Sequence, residues 1–508
     1  MGKRVLQCAI VLAVVGLCVP AFAQGGAAVS EGAKIDKNAV EAAVKKACDW
    51  LKSQQKPDGS WTGANHYDTF YPYASTAFVT FALLKGTESG ESGCVKKAFD
   101  YLRKKEFPGV YGVSSLILAL CALFEPQAEP EPEEQKEVRP GEKLRTTLFE
   151  PRERMARRKL EDAPPWVNEW LKSAVAWLVS QQAVNIWRYP GTGVGDYAVS
   201  QARGGNQDAS NTQYAMLALH EASILGVNAP LDVYGKVADY FIVEQEKDGP
   251  DVKPFPVPAA DLPINKLKEM EKEILKKLKQ EHMQAVKEGK PGLSLKDLGP
   301  RTTEEMGDPY KDFGAELSPM KARGWAYLPQ GTPTTGATPV EQWQVQATGS
   351  MTAGGAGTLI ICKSKLEGTN WYMDNDKKLR QAIRDGMAWL SHKFTVTDNP
   401  GPLGCWKYYY LYGLERAGVL SLTRKIGDHF WYEEGGKHIL ATQGGDGSWP
   451  GTSVDSGDPH VKSFDYGPIW PTCFCILFLK KATAPVVNLP EPTTTGEGLF
   501  GPARPKDK

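Results

Sequence analysis

The sequence has no excess of charge of either sign, because 60 Lys and Arg residues balance 60 Asp and Glu residues over 508 positions. Without a basic field to attract phosphates, a nucleic-acid-binding protein is not favoured. Long apolar runs are also scarce beyond the first residues. The run 469–479 is too short to span a bilayer and instead predicts a core helix. The sequence therefore predicts no nucleic-acid partner and no transmembrane span.

Cysteine is sparse for a chain of this length, with nine residues in total. Cys8 and Cys18 fall in the apolar N-terminal run, and the seven others are too scattered for a disulfide scaffold. Because seven is odd, at least one thiol stays free or pairs between chains. Cys473 and Cys475 lie two residues apart in a helix-like run, so their side chains point apart, which predicts core packing rather than a redox pair.

Residues 1–23 have the parts of a secretory signal peptide. Two basic residues precede the apolar run 5–19, and Ala21-Phe22-Ala23 supplies the small residues of a cleavage site. An uncleaved anchor fits less well because the run is short for a span. A lipoprotein is disfavoured because Leu17 is too large for the position before the modified cysteine. We expect an exported bacterial protein, either periplasmic or secreted.

A unit of two helices recurs along the rest of the chain. Its first helix carries Ala and an aromatic-Leu pair, and it ends in a Gly-rich loop such as 54–61 or 443–449. Its second helix is apolar on nearly all sides, which is typical of a buried helix. The first helices recur at 44–51, 95–102, 171–178, 233–245, 383–390 and 436–440, and the second helices at 76–84, 114–120, 212–219, 350–362, 408–414 and 472–479. A period of roughly 40 to 50 residues indicates a repeat architecture.

This alternation predicts an all-α fold, an (α/α)6 double-ring toroid over residues 38–481, with the apolar helices inside. Two charged stretches interrupt it, at 125–165 and 251–321. In the second, an amphipathic charged helix from Ile264 to Leu278 predicts a solvated surface helix, a helix that lies across the mouth of the barrel, or a contact for a protein partner. The tail 482–508 is rich in Pro and Thr, which predicts disorder.

The loop resembles the "QW" repeat of squalene–hopene and oxidosqualene cyclases and of protein prenyltransferase β subunits, families that share an α/α toroid. The matching residues, which that resemblance assigns to structural links between repeats, are Gln54, Asp58, Gly59, Trp61, Gln443, Asp446, Gly447 and Trp449. The resemblance covers most of residues 38–481 outside the two insertions. It implies the fold and a lumen for an apolar ligand, but it implies no chemistry.

The acidic motif of the cyclases is incomplete in this sequence. Those enzymes protonate an alkene with an Asp in an Asp-x-Asp-Asp-Thr motif at the start of an inner helix, and the corresponding stretch here is Asp208-Ala209-Ser210-Asn211-Thr212. Ser210 stands at the place of the proton donor, and a hydroxyl is far too weak an acid for that step. The similar letters Asp374-Asn375-Asp376 precede an outer helix and predict a helix cap.

No cofactor or metal is expected either. The prenyltransferases bind zinc through an Asp-x-Cys pair and a later His, but no Cys here has an Asp two positions before it, and the chain contains no Asp-Asp pair for a diphosphate box. His460, Asp465 and Cys473 fit no standard ligand spacing. Whether the protein is an enzyme is left open by the sequence.

The repeat alignment predicts a cavity rim of aromatic and acidic residues: Asp68, Tyr71, Tyr73, Trp187, Tyr189, Asp208, Asn211, Trp325, Tyr327, Trp406, Tyr408, His460, Asp465 and Trp470. Such a rim suits an isoprenoid or other apolar lipid, but it also suits a sugar stacked on ring faces. Three hypotheses follow. The chain binds an apolar ligand in the lumen, serves as a non-catalytic scaffold, or acts on polysaccharide through paired acids such as Asp68 and Asp465.

Overall fold

The structure is a computed structural model that describes residues 35–62, 72–123, 160, 163–188, 208–269, 280, 284, 317–333, 339–451, 453–454, 464–465 and 467–486. The predicted signal peptide lies outside these ranges, as do most of both insertions and the tail beyond residue 486.

The described residues are mostly helical. The helices are α1 (Lys37–Ser53), α2 (Pro72–Gly86), α3 (Gly93–Arg103), α4 (Val110–Ala122), α5 (Pro165–Ser180), α6 (Ala209–Ile224), α7 (Leu231–Glu244), α8 (Pro258–Asp261), α9 (Pro339–Val345), α10 (Gly349–Leu366), α11 (Asn370–His392), α12 (Lys407–Ser421), α13 (Trp431–Ala441) and α14 (Ile469–Leu479). Two antiparallel pairs of short strands join β1 (Asp251–Val252) to β2 (Met320–Lys321) and β3 (Ser453–Val454) to β4 (Phe464–Asp465). The predicted all-α class is confirmed.

Two kinds of helix alternate. In α1, Val40, Val44, Ala47 and Leu51 form one buried stripe while the opposite face is exposed, and the carboxylate of Asp36 caps its first turn by accepting from the Asn38 N–H at 2.9 Å. In contrast, α4 buries every residue except the partly buried one at 111. A helix buried on all sides must lie between other helices.

Six such buried helices, α2, α4, α6, α10, α12 and α14, contact one another in a closed order, since each contacts the next and α14 contacts α2. We call them the inner helices. The remaining long helices, α1, α3, α5, α7, α11 and α13, each pack against one or two of the six. We call these the outer helices. Each outer helix precedes an inner helix in the chain, which is the alternation that the sequence predicts.

The ends of the second insertion belong to the folded structure. The strands β1 and β2 pair Asp251 with Lys321 and so join its two ends. Just inside them, Val257 and Leu267 are fully buried, and the Lys363 ammonium on α10 donates to the carbonyl of Leu262 at 2.8 Å. The short helix α8 within this stretch packs on the inner helices α10 and α12 and on the outer helix α11.

The tail also begins later than the sequence predicts. Ala482, Thr483 and Ala484 are buried, so the folded part does not end at residue 481. Within the described ranges, no helix combines the length and the apolar character that crossing a membrane requires.

Candidate functional site

Four tryptophans each link one outer helix to the inner helix that follows it. In each case the indole N–H donates to a carbonyl near the end of the outer helix at 2.7–2.8 Å. The backbone N–H of the same residue donates to a threonine hydroxyl in the inner helix at 3.0–3.2 Å. The sets are Trp61 with Leu51 and Thr76, Trp187 with Leu178 and Thr212, Trp325 with Phe241 and Thr352, and Trp449 with Ile439 and Thr472.

Two of these four correct the predicted rim. Trp187 and Trp325 are fully buried and make the same pair of hydrogen bonds as Trp61 and Trp449. They are therefore links between helices and do not line a cavity. The assignment failed because no Asp-Gly-Ser precedes Trp187, and because the 251–321 insertion separates Trp325 from its glutamine, Gln245.

A glutamine in each link ties neighbouring outer helices together. The amide of Gln443 donates to Gly447 O within its own loop and to Ala43 O on α1, both at 2.9 Å. At the other end of the chain Gln55 makes the equivalent bonds, to Gly59 O at 3.0 Å and to Cys94 O at 2.8 Å. The predicted Gln54 is exposed, and among the described contacts its side chain bonds its neighbour Ser53. The linking glutamine is therefore Gln55.

The Asp-Gly part of the loop forms a tight turn. One carboxylate oxygen of Asp58 accepts from the N–H and the hydroxyl of Ser60, at 3.0 and 2.7 Å, and the Ser60 hydroxyl bond lowers the pKa of Asp58. Gly59 has φ +90°, and a Cβ there would lie 2.3 Å from the Lys97 carbonyl oxygen. Glycine is required on both counts. Asp446 and Gly447 repeat this arrangement, with φ +101° at the glycine.

Asp208 begins α6, as the sequence predicts. Its Oδ1 accepts from the Ser210 hydroxyl and the Asn211 backbone N–H, both at 2.6 Å, and from the Asn211 side-chain amide at 3.1 Å. Its Oδ2 accepts from the Tyr327 hydroxyl. Every described contact of this carboxylate is therefore as an acceptor. Burial, followed by the charge of Asp208, raises the pKa of Tyr327 well above its usual value, so this phenol remains a donor.

Aromatic side chains lie close together around the first turns of the inner helices. We call this end of the inner helices the mouth. Tyr327 stacks on Trp343 at 5.1 Å between ring centroids, and Trp343 contacts Trp406 at 4.6 Å. On the other side of the mouth, the ring centroids of Tyr111 on α4 and Tyr214 on α6 lie 4.7 Å apart. Tyr327 and Trp406 belong to the predicted rim, and both are partly exposed. Trp343 could not be predicted from the repeat pattern, because it lies on α9, outside that pattern.

Deeper in, aromatic rings from four inner helices pack together. Phe78 contacts Tyr214 at 6.1 Å, Phe474 at 5.3 Å and Tyr412 at 6.5 Å, and it stacks on Trp470 at 4.7 Å. Phe78, Tyr214 and Tyr412 are fully buried. Side chains therefore occupy the space at this level, whereas the mouth keeps partly exposed rings.

A buried arginine that the repeat pattern does not predict lies beside these rings. Arg416 on α12 is 3% exposed. Its guanidinium carbon lies 4.4 Å from the Tyr412 ring centroid and 5.2 Å from that of Tyr214, distances typical of cation–π contacts. It also donates to Gln213 at 2.6 Å, and Gln213 donates to the Tyr409 hydroxyl at 2.6 Å. Burial raises the pKa of Tyr214 to about 12, so that phenol stays neutral.

The other predicted rim residues lie elsewhere or outside the described ranges. Tyr73 is buried against Gly112 of α4, and Tyr408 is buried with its hydroxyl 3.4 Å from Thr442 at the end of α13. Neither lines the mouth, because each faces a neighbouring helix. Trp470 lies at the mouth and donates to Ser75 at 3.2 Å. Asp68, Tyr71, Tyr189, His460 and the side chain of Asp465 lie outside the described residues.

Two further predictions concern caps and metals. Asp374 and Asp376 do not begin a helix, because α11 starts at Asn370 with Thr369 as its cap, and Asp376 pairs with Arg380 at 2.8 Å inside the helix. Cys473 is fully buried, and all seven cysteines in the described ranges are free thiols. Within the part of the chain that the structure covers, no His, Cys, Asp and Glu side chains group in a way that could hold a metal ion.

No family model matches the sequence. Among solved structures, the chain is similar to the type II terpene cyclase MstE from Scytonema in its apo form, with a TM-score of 0.42 and 11% sequence identity over 88% of this chain and 99% of that chain. Identity this low bears on the fold alone, and a TM-score this low leaves the likeness too weak to establish even that.

Proposed function

We propose that this chain is an exported, squalene-cyclase-like (α/α)6 toroid that binds an apolar, isoprenoid-class ligand at the mouth of its inner helices and does not cyclise it. The observation that carries the proposal is the group of partly exposed aromatic rings at the mouth, among them Tyr111, Tyr327, Trp406 and Tyr409. Ring faces and edges bury apolar area at a low cost in side-chain entropy, which suits a hydrocarbon ligand.

The hydrogen bonds of Asp208 argue for binding without cyclisation. A cyclase-type acid must hold a proton and deliver it to a carbon–carbon double bond. Asp208 accepts hydrogen bonds at both oxygens, from Ser210, from the Asn211 backbone N–H and from Tyr327. Ser210, at the place of the missing acid, donates its hydroxyl to Asp208. The two residues serve to cap α6 and to fix Tyr327.

The packed rings beneath the mouth set the size of the ligand. Because Phe78, Tyr214 and Tyr412 fill the middle level, the proposed ligand occupies the mouth only and does not thread the ring of helices. The polysaccharide hypothesis requires two facing carboxylates. Asp208 contacts a mouth ring through the Tyr327 hydroxyl, whereas Asp68 and the side chain of Asp465 lie outside the described residues. Support for the lipid hypothesis comes from the rings themselves.

The test is extraction of the purified full-length protein with organic solvent, followed by mass spectrometry of the extract. We expect an isoprenoid lipid at a stoichiometry near one per chain. A second measurement titrates the delipidated protein with farnesol, with cellohexaose in parallel, and follows tryptophan fluorescence. Binding of farnesol but not of the oligosaccharide supports the proposal. Binding of the oligosaccharide alone, or of neither, overturns it.

Variants locate the ligand within the molecule. Tyr409→Ala removes a mouth ring and should weaken farnesol binding about ten-fold, equivalent to about 1.4 kcal/mol. The matched control is Trp371→Ala, since Trp371 is a partly buried ring on the outer helix α11 that bonds Asp239 at 3.1 Å. Equal weakening by both variants would place the ligand outside the mouth.

A further inference from the structure

The chain reverses direction directly after α14 and crosses the C-terminal ends of other inner helices. Lys481 has φ +44°. The N–H of Lys481 donates to Phe478 O and the N–H of Ala482 donates to Leu477 O, both at 3.0 Å. This pair of bonds about a left-handed residue is the Schellman motif that ends many helices. It directs residues 482–486 back over the helix ring, away from solvent.

Side chains of two inner helices bind this segment as they would bind a peptide. Glu415 on α12 accepts from the Thr483 N–H at 3.1 Å and from the Thr483 hydroxyl at 2.7 Å. Glu221 on α6 accepts from the Ala484 N–H at 3.0 Å, and the Nε2 of His220 lies 2.9 Å from the Ala484 carbonyl oxygen. The backbone of two consecutive residues is thus recognised by charged and polar side chains that belong to other helices.

The polar character of these contacts is unusual for the end of a helical core. Glu415 is fully buried and Glu221 is 2% exposed. Burying a carboxyl group is costly unless it is hydrogen-bonded, and the segment supplies such bonds to both acids. Apolar residues at 221 and 415 would seal the same surface without polar groups. Two acids and an imidazole instead form a site that recognises N–H groups, a hydroxyl and a carbonyl.

We propose that Ala482–Val486 is a strap bound in cis to a peptide-binding site between α6 and α12, and that its displacement opens the C-terminal end of the helix ring. The ligand class is a short, non-helical peptide with a hydroxyl side chain. A second molecule of that chemistry competes with the strap. The site is at the opposite end of the inner helices from the mouth, so this inference does not depend on the proposed lipid ligand.

The test is hydrogen exchange followed by mass spectrometry on three full-length proteins. Ala484→Pro removes the N–H that Glu221 accepts, and Thr483→Val removes the hydroxyl while keeping the shape. We expect at least ten-fold faster exchange in residues 482–486 of both variants, with inner helices α2 and α10 unchanged. Unchanged protection of the strap in both variants would show that these contacts do not hold it.

Binding of a free peptide distinguishes a ligand site from an ordinary turn. The free peptide acetyl-Ala-Thr-Ala-Pro-Val-amide, which copies residues 482–486, is added to the Ala484→Pro protein and to the wild type. We expect it to bind the variant at least ten-fold more tightly than the wild type, and to restore protection around Glu221 and Glu415. The same peptide with Val in place of Thr is the control. If the strap is released yet neither peptide binds, or if both bind equally, the inference is overturned.

Discussion

Among single residues, Glu415 has the most consequential environment. Burial, opposed by the Thr483 hydrogen bonds and by the charges of Arg416 and Lys85, raises the pKa of this carboxyl from its usual 4.5 to about 7. Between pH 4.5 and 7 the unfolded chain has released this proton while the folded chain still holds it. Stability therefore falls as pH rises through this window. Above about pH 7 the loss is complete and amounts to roughly 3 kcal/mol.

Glu415→Gln tests this pH dependence, because an amide does not titrate. Urea unfolding of the variant and the wild type is compared at pH 5 and at pH 8. We expect the variant to gain roughly 3 kcal/mol relative to the wild type between the two pH values. Glu221 and His220 are present in both proteins, so their titration cancels in the difference. A difference that is equal at both pH values would mean that Glu415 is ionised throughout.

Trp187 gives a second residue-scale prediction, because its role as a link can be distinguished from a role in binding. Trp187→Phe keeps the buried ring but leaves the Leu178 carbonyl without the indole N–H. We expect a loss of about 1–3 kcal/mol in the free energy of unfolding, with farnesol affinity unchanged. Trp371→Phe, which removes an N–H bond to Asp239 at a less buried position, should cost less than half as much. If Trp187→Phe keeps its stability but binds farnesol more weakly, Trp187 is a rim residue that contacts the ligand.

The residue types that form the links could be predicted from the sequence. Which individual residue takes each role could not. Trp61 and Trp449 follow a complete Asp-Gly-Ser-Trp loop, so their role could be inferred from the sequence. Adjacent glutamines at 54 and 55 made the choice ambiguous, and only the bond from Gln55 to Cys94 O resolves it. Gln245 and Trp325 are 80 positions apart in sequence yet belong to one link. Spacing cannot identify such a pair when an insertion separates its members.

At the scale of elements, α10 is shaped by its glycines, and two of them make a matched pair. A Cβ at Gly355 would lie 2.8 Å from the Trp325 ring, whereas one at Gly357 would meet only the Cδ1 end of Leu420 at 3.1 Å. Gly355→Ala should cost about 1–3 kcal/mol, because the buried indole cannot move away. Gly357→Ala should be near neutral, because the gain in helix propensity of about 1 kcal/mol offsets the adjustment of Leu420.

Thermal unfolding of the two variants checks this prediction. A lower melting temperature for Gly355→Ala than for Gly357→Ala is expected. The reverse order would mean that α10 does not pack on Trp325 as closely as 2.8 Å implies.

Helices with a clear hydrophobic pattern could be predicted from the sequence. Segments that are held in place by residues distant in sequence could not. The inner helices α2, α4 and α14 could be predicted because nearly every residue in them is apolar or small. The strap could not be predicted, because its order depends on Glu221 and Glu415, which lie 263 and 68 positions away from their partners. A Pro- and Thr-rich composition describes only local preference. At the mouth, Asp208, Tyr327 and Trp406 were among the predicted residues, but Trp343 was not, and the deeper Arg416 was not predicted either.

For the whole molecule, the central question is whether the helix pairs form a closed ring or an open array. In an open array each unit contacts only its neighbours, and the terminal units are the least protected. Here Gln443 joins α13 to α1 through Ala43 O, and α14 contacts both α1 and α2. The first and last helix pairs are therefore neighbours. We expect hydrogen exchange of α1 in the wild type to be as slow as that of α5, although α1 begins the helical part.

Gln443→Ala removes the hydrogen bond that joins α13 to α1 and so tests directly whether the ring is closed. Exchange in α1 and α13 should accelerate at least several-fold, while exchange in α5 and α7 stays as in the wild type. Gln182→Ala is the matched control, since Gln182 makes the same kind of link from the loop after α5 to Val233 O on α7 at 3.1 Å, and it should accelerate α5 and α7 instead. In an open array α1 would exchange fast already in the wild type, and Gln443→Ala would change nothing there. Rapid wild-type exchange confined to α1 and α13 would therefore refute the closed ring, and with it a mouth enclosed by six inner helices.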